Sequence, residues 1–168
     1  MNEFSHLDEQ GRVRMVDVSD KTPSDRTARA QAMVHLQPDT FDLIRDLGVK
    51  KGNVLETARI AGVMAAKQTA GLIPMCHPLN LTHVKVDFFP DPSTHTIRIE
   101  ALARVKAHTG VEMEALTAAS VAALTIYDMC KSYDRGMRIT DILLLEKRGG
   151  KSGAWESSEA LKRLRREP

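Results

Sequence analysis

The stretch from Thr109 to Tyr133, TGVEMEALTAASVAALTIYDMCKSY, constrains this chain more than any other. Small and apolar residues recur there at spacings of three and four, which predicts one helix of about six turns. Thr109 is the candidate N-cap, Glu112 stands three residues on as in a capping box, and Gly110 eases the turn between them. From Ala115 to Tyr127 no side chain is charged, and five of those thirteen positions are alanine. A helix this apolar has no solvated side, so it is expected to be covered by its own sheet and by a second body that the small residues let come close. The run is shorter than the roughly 18 apolar residues of a membrane span.

The charges stand at the ends, with Glu112 and Glu114 at the start and Asp128 and Lys131 near the finish. At about 100° per residue, Glu114, Ala118, Val121, Thr125 and Asp128 share one stripe. Glu114 and Asp128 are nevertheless separated by about 21 Å of helix, too far for one small ligand. Two readings are open. A second copy crossing antiparallel about Val121 would set Glu114 of one protomer near Asp128 of the other, giving a two-fold interface with two equivalent shared sites. Alternatively, Glu114 favours the positive helix start while Asp128 and Lys131 form a solvated end.

With 168 residues and 42% apolar content, the chain is long enough for one well-buried domain, expected over 1–153 with an N-terminal arm. The net charge of +2 hides an asymmetry, because residues 147–168 hold seven Lys or Arg against three Glu. The tail over 154–168 is therefore basic, expected as a short helix or disordered from Trp155, and solvated unless it touches nucleic acid. Cys76 and Cys130 without a signal-like N-terminus point to free thiols in a reducing cytoplasm. The six histidines show no zinc-type spacing to either cysteine.

Met15 to Val18 reads as a short edge strand or an extended arm. Lys21 to Arg26 is a turn around Pro23, and alternation from Ala28 to Leu36 argues for a strand, although its alanines would also suit a helix. Pro38 opens a helical turn that stops near Gly48, and a second helix runs from Val54 to about Gln68. Lys50, Lys51 and Gly52 lie in the joint, where amides at a helix start attract anions. Ile73 to Leu79, IPMCHPL, is a loop stiffened by two prolines that presents Met75, Cys76 and His77. That loop is either a site or a satisfied histidine beside a packed cysteine. Val84 to Phe89 and Ile97 to Val105 alternate around the turn PDPSTHT as a hairpin. Met137 to Lys147 supplies the last strand. Strand, helices, strand, strand, helix, strand is an α+β order, that of a ferredoxin-like fold with an antiparallel sheet and helices on one side.

Gly150, Lys151 and Ser152 do not make a P-loop, because Leu145 stands where that motif needs its first glycine. The loop is still able to cover phosphate oxygens with Lys147 and Lys151 as point charges. Thiol catalysis is disfavoured, since Cys76 and His77 are neighbours with no identifiable Asn or Asp partner. What remains is an assortment of lysines, carboxylates and histidines suited to proton transfers on an anionic substrate.

IPMCHPL, KKGNVLETARIAGVMAAKQT at Lys50 to Thr69, the Thr109 to Lys131 stretch, MVDVSDK at Met15 to Lys21 and GGKSG at Gly149 to Gly153 together resemble the molybdenum cofactor biosynthesis protein C family. The resemblance covers roughly His6 to Gly153. It implies a cyclic pyranopterin monophosphate synthase, a lyase that rearranges 3′,8-cyclo-7,8-dihydro-GTP with loss of pyrophosphate. It further implies a ferredoxin-like fold and a hexamer of three dimers with sites at the dimer interfaces. Carried over by position, Asp128, Lys51, Lys131 and His77 form the catalytic group, with Lys51 and Lys131 as the acid and base pair, one of them desolvated among other cations. Met75, Cys76, His77, Met113 and Glu114 contact substrate, Glu112 supports it, and Arg26 with nearby lysines holds the triphosphate. No redox cofactor is implied, and magnesium has no dedicated carboxylate cage in the sequence. The competing expectations are a non-catalytic nucleotide-binding or assembly subunit, and RNA binding through the sheet. The latter lacks its aromatic platform at 4% aromatic residues.

Overall fold

The computed structural model describes residues 10–151 and 153–158. The elements are β1 (Ser24–His35), α1 (Pro38–Arg45), α2 (Val54–Lys67), α3 (Thr69–Leu72), β2 (His83–Asp91), β3 (Thr96–Ala107), α4 (Glu112–Cys130), β4 (Arg138–Arg148) and β5 (Trp155–Glu156). The strands form one sheet in the order β2-β3-β1-β4-β5, every adjacent pair antiparallel. The first four strands with α2 and α4 make the expected ferredoxin-like arrangement, and α4 lies over β1, β3 and β4.

Alternation in the strands decides which face the helices cover. Ala28, Ala30, Ala32 and Val34 of β1 and Ile97, Ile99, Ala101, Ala103 and Val105 of β3 are all buried. The intervening Arg29, Arg98 and Glu100 lie on the other face, where Arg29 pairs with Glu100 and Glu146 at 3.2 Å each. Because the covered rows are largely alanine, a helix can approach closely only if its own inner face is small too. Ala115, Ala118, Ala119, Ala122 and Ala123 of α4 are each fully buried, which satisfies that condition. Helix α2 then packs beside α4 through Gly62: a Cβ there would stand 2.9 Å from the Ala118 carbonyl oxygen and 3.2 Å from Val86 Cγ2.

Several expectations are corrected. Helix α4 starts at Glu112 with Val111 as N-cap and no side-chain cap, so Thr109 does not cap it. The reason is that the Glu112 carboxylate is drawn to Lys147, 3.0 Å away, and folds over Gly110, where a Cβ would overlap it. Along the stripe from Glu114 to Asp128, Glu114 and Ala118 are buried and do not form a solvated face, and Leu124 is 57% exposed on the uncovered side. Of the two readings of residues 15–18, the arm holds and the edge strand does not. Trp155 and Glu156, expected in a helix or in disorder, pair instead with Lys147 and Glu146. A turn in which Gly153 N–H donates to the Gly150 carbonyl at 3.2 Å reverses the chain onto the free edge of β4, whose backbone groups need partners. The remainder of the basic tail, 159–168, lies outside the described residues, as does Ser152.

Filling the α2–α4 crossing is expected to be costly. Gly62→Val should lower the unfolding free energy by about 1–3 kcal/mol or more, through overpacking against main chain that cannot yield. Urea titration of both proteins measures it, and an unchanged midpoint would show that the two helices are not in close contact.

Candidate functional site

The sheet outruns the start of α4, and three short segments converge on the space this leaves. The extended arm contributes Val16, Val18 and Lys21, the proline-flanked loop contributes Met75, Cys76, His77 and Leu79, and the approach to α4 contributes Thr109, Gly110, Glu112, Met113 and Glu114. They enclose a cavity of about 320 Å³. A turn in which Cys76 N–H donates to the Ile73 carbonyl at 3.0 Å brings Met75, Cys76 and His77 to one wall, although neighbours in an extended loop would point apart.

Glu114 is 4% exposed, and burial pushes its carboxyl above the ordinary value of 4.5, with Glu112 adding to the rise. Burial, then Glu114, also raises the Cys76 thiol, the opposite of an activated nucleophile. Cys130, the buried last residue of α4, is pushed up to about 11 by burial. Thiol chemistry therefore has no support at either cysteine.

Next to this cavity, and sharing Lys21, Thr109 and Gly110 with it, is a wider pocket of about 740 Å³ that also takes in Ser24, Arg26, His108, Gly150 and Lys151. Arg26 sits on the helix side of β1, one alternation beyond Ala28. Its Nε donates to the Ala107 carbonyl at 3.1 Å and its Nη2 to the His108 carbonyl at 3.0 Å. His108 Nδ1 in turn donates to the Lys21 carbonyl, which ties the arm to the start of α4. Among the described residues, the Ser24 hydroxyl is one of two buried side-chain polar atoms with no hydrogen-bond partner. A third, smaller pocket of about 170 Å³ runs from Gly110 and Glu112 to Lys147 and Arg26.

The other charged group is at the far end of α4. Lys131 Nζ lies 2.7 Å from Asp128 Oδ1, and Lys51 Nζ lies 4.0 Å from Oδ2 while donating to the Asp128 main-chain carbonyl at 2.8 Å. The hydrogen bond and charge of Lys131, then the charge of Lys51, hold the Asp128 carboxyl below its ordinary value. Asp128 likewise raises Lys131, so the expected crowding by other cations does not describe Lys131 in the protomer: its nearest charge is a carboxylate. The joint at Lys50 to Gly52 is also not an open anion site, since Asn53 caps α2 by accepting from Glu56 N–H at 3.1 Å. Lys51 is directed to the carbonyl end of α4 instead.

Of the residues singled out by sequence, Met75, Cys76, His77, Glu112, Met113 and Glu114 meet at one cavity, and Arg26 lines the pocket beside it. Lys51, Asp128 and Lys131 meet at the opposite end of a nineteen-residue helix. One protomer thus holds two halves. Lys21 and His108 were missed as individual site residues, because single polar residues beside a turn and a helix start carry no periodic signal. Among the described residues, no group of three or more His, Cys, Asp or Glu is placed to hold a metal ion, and no helix is long and apolar enough to cross a membrane.

A family model described as the MoaC family matches residues 15–150, which spans both halves. The chain belongs to the MoaC family. Among its curated relatives, this MoaC-family chain is 67% identical over 155 residues to a protein of Desulforapulum autotrophicum, covering 92% of this chain and 95% of the relative. It is 57% identical over 155 residues to one of Chloroflexus aurantiacus, covering 92% and 95%. A relative from Methylobacterium nodulans is 58% identical over 160 residues, covering 95% of this chain and all of its own length at 100%. Each of the three is named cyclic pyranopterin monophosphate synthase.

The buried carboxyl makes stability depend on pH. A group whose folded pKa is raised binds its proton more tightly in the fold, so its contribution is complete below the ordinary value of 4.5 and is lost as pH rises through the raised value. The wild type should therefore lose stability relative to Glu114→Gln across that rise. Denaturation midpoints taken from pH 4 upward measure the difference; a constant gap would place Glu114 in solvent, and a gain in wild-type stability with rising pH would place it beside a cation.

Proposed function

We propose that this chain is a cyclic pyranopterin monophosphate synthase, converting 3′,8-cyclo-7,8-dihydro-GTP to cyclic pyranopterin monophosphate with release of pyrophosphate. The observation that carries the reading is the pairing of two compartments at the start of α4. One is a cavity lined by Met75, Cys76, His77, Met113 and Glu114, and the other is a pocket in which Lys21, Arg26 and Lys151 outnumber its one carboxylate, Asp20. A purine-derived ring fits the first by size and by its mixture of apolar and hydrogen-bonding walls. A triphosphate fits the second, where an arginine and two lysines offset its charge.

The chemistry opens the imidazole carbon of the purine, recloses the ring as a pyrazine, and brings a ribose-derived hydroxyl onto the α-phosphate. Oxidation state is unchanged overall, so proton transfers carry the steps and no redox cofactor is required. Asp128, Lys51, Lys131 and His77 supply those transfers. In the resting protomer Asp128 is held as a carboxylate and Lys131 as an ammonium, so Lys131 enters as an acid and Asp128 as an acceptor or as the group that orients it. Arg26 and Lys151 stabilise the departing pyrophosphate. Magnesium accompanying the triphosphate would need no protein cage of its own.

In this reading the two halves are completed by a second protomer. An antiparallel crossing on the uncovered side of α4 near Ser120 and Val121 brings the Asp128 cluster of one chain to the His77 cavity of the other. Ile60 and Met64 of α2, Leu72 of α3 and Leu124 of α4, each more than half exposed, supply apolar surface on the helix layer for that contact. Three such dimers form a hexamer, acting in the cytoplasm on a small GTP-derived substrate.

The purified protein should release pyrophosphate from the cyclic GTP intermediate, and Asp128→Asn and Lys51→Ala should each lower the rate by about 10²–10⁴-fold. A coupled pyrophosphate assay reads this directly. Ligand binding without release would identify a nucleotide-binding subunit instead.

A further inference from the structure

The two glycines that follow β4 are not equivalent in what they permit. Gly149 has φ +97°, and a Cβ there would overlap the Asp25 carbonyl oxygen and stand 3.2 Å from Arg26 Cα, so only main chain could yield. Gly150 has φ +77°, and a Cβ there would overlap Arg26 Nη1 and stand 2.9 Å from Cζ and 3.2 Å from Nη2. At Gly150 the obstructed group is thus the guanidinium itself. That guanidinium is not free to swing aside at no cost, because Nε and Nη2 are already committed to the carbonyls of Ala107 and His108. The bare backbone at Gly150 is what leaves room for the guanidinium in this pose. Arg26, Gly150, Lys151 and Ser24 all line the same 740 Å³ pocket.

We infer that Gly150 is a positioning residue: by lacking a side chain it lets Arg26 lie flat against the Ala107 and His108 carbonyls with its remaining N–H groups available to a phosphate. This rests on the reading of that pocket as the triphosphate compartment. A methyl at position 150 forces Arg26 off both carbonyls, or holds the loop away from it, and in either case separates Arg26 from Lys151. The charge is retained while its placement is lost, and placement is what a bidentate arginine contact depends on.

Backbone strain from the left-handed conformation is a competing cause of any Gly150 effect, and Gly153 isolates it. Gly153 has φ +65° in the same loop but nothing within 4 Å of its Cβ position, so Gly153→Ala carries comparable strain without touching Arg26. Calorimetric titration with inorganic tripolyphosphate is the test, applied to the wild type, Gly150→Ala, Gly153→Ala, Arg26→Ala, Arg26→Lys and the Gly150→Ala/Arg26→Ala double variant.

Gly150→Ala and Arg26→Ala should each weaken binding about tenfold, Arg26→Lys should fall between Arg26→Ala and the wild type, and Gly153→Ala should stay within about twofold of the wild type. The double variant should bind within about twofold of Arg26→Ala, since removing the guanidinium removes what the methyl displaces. In turnover, Gly150→Ala should raise KM for the cyclic GTP intermediate and lower kcat as well, because the displaced Arg26 also stabilises the departing pyrophosphate. Equal behaviour of Gly150→Ala and Gly153→Ala, or independent and multiplicative losses in the double variant, would overturn the role of Gly150 while leaving the pocket's assignment standing. Tripolyphosphate binding that is absent in the wild type, or indifferent to Arg26→Ala, would overturn the assignment and this inference together.

Discussion

Close packing of α4 on the alanine rows of β1 and β3 is the interaction on which the rest of this structure depends. The five buried alanines of α4 are enclosed between the sheet, which presents Ala28, Ala30 and Ala32 on one strand and Ala101 and Ala103 on the next, and α2, which reaches Ala118 and Ala122 at Gly62. Small residues on both surfaces bring the helix axis close to the sheet, and packing at that distance leaves little freedom to slide or tilt. The helix therefore acts as a rigid spacer. Its two charged ends are held at fixed positions, about 21 Å apart between Glu114 and Asp128 by helical rise.

That separation gives the two ends different electrostatic characters. At the first turn Glu114 is buried with its carboxyl raised by desolvation, while Glu112 is neutralised by Lys147 across the end of the sheet. At the last turn Asp128 is exposed and lies between two lysines, one of which also donates to the carbonyl end of the helix. A lysine at that end is where the helix dipole favours a cation. The pocket around Arg26 adjoins the first end, so the proposed triphosphate compartment and the Asp128 cluster stand at opposite ends of one helix. In the proposed dimer, a second α4 running antiparallel would bring them together.

Much of this was legible in the sequence, and for identifiable reasons. Alternation marked most of β1, β2 and β3 and their covered face, although Ser24 to Arg26, read as part of a turn around Pro23, open β1, and the uncharged alanine-rich run marked α4 as the central helix. Asp128 and Lys131 were legible only as charges at the end of α4, and their ion pair emerges in the structure; the proline-flanked loop was singled out as presenting Met75, Cys76 and His77, which do line the cavity. What escaped depends on contacts between segments distant in sequence. Thr109 looked like an N-cap until Lys147, brought opposite Ala28 by the β1–β4 register, claimed Glu112. Trp155 and Glu156 became a strand only because the edge of β4 was free to receive them. The four residues of α3 are too few to carry a periodic signal. That α2 covers Ala118 was not legible, because the contact is set by Gly62 some fifty residues earlier in the sequence.

The central claim is that each site takes the His77 cavity from one protomer and Asp128 with its lysines from another. Co-expression of His77→Ala and Asp128→Asn chains, each inactive alone, tests it most directly by pyrophosphate release from the mixed assembly. With shared sites, half the dimers are mixed and each of these holds one intact site, so about a quarter of wild-type activity should return. A mixture as inactive as either variant alone would contradict the account, because it would mean that both residues serve the same site from a single chain.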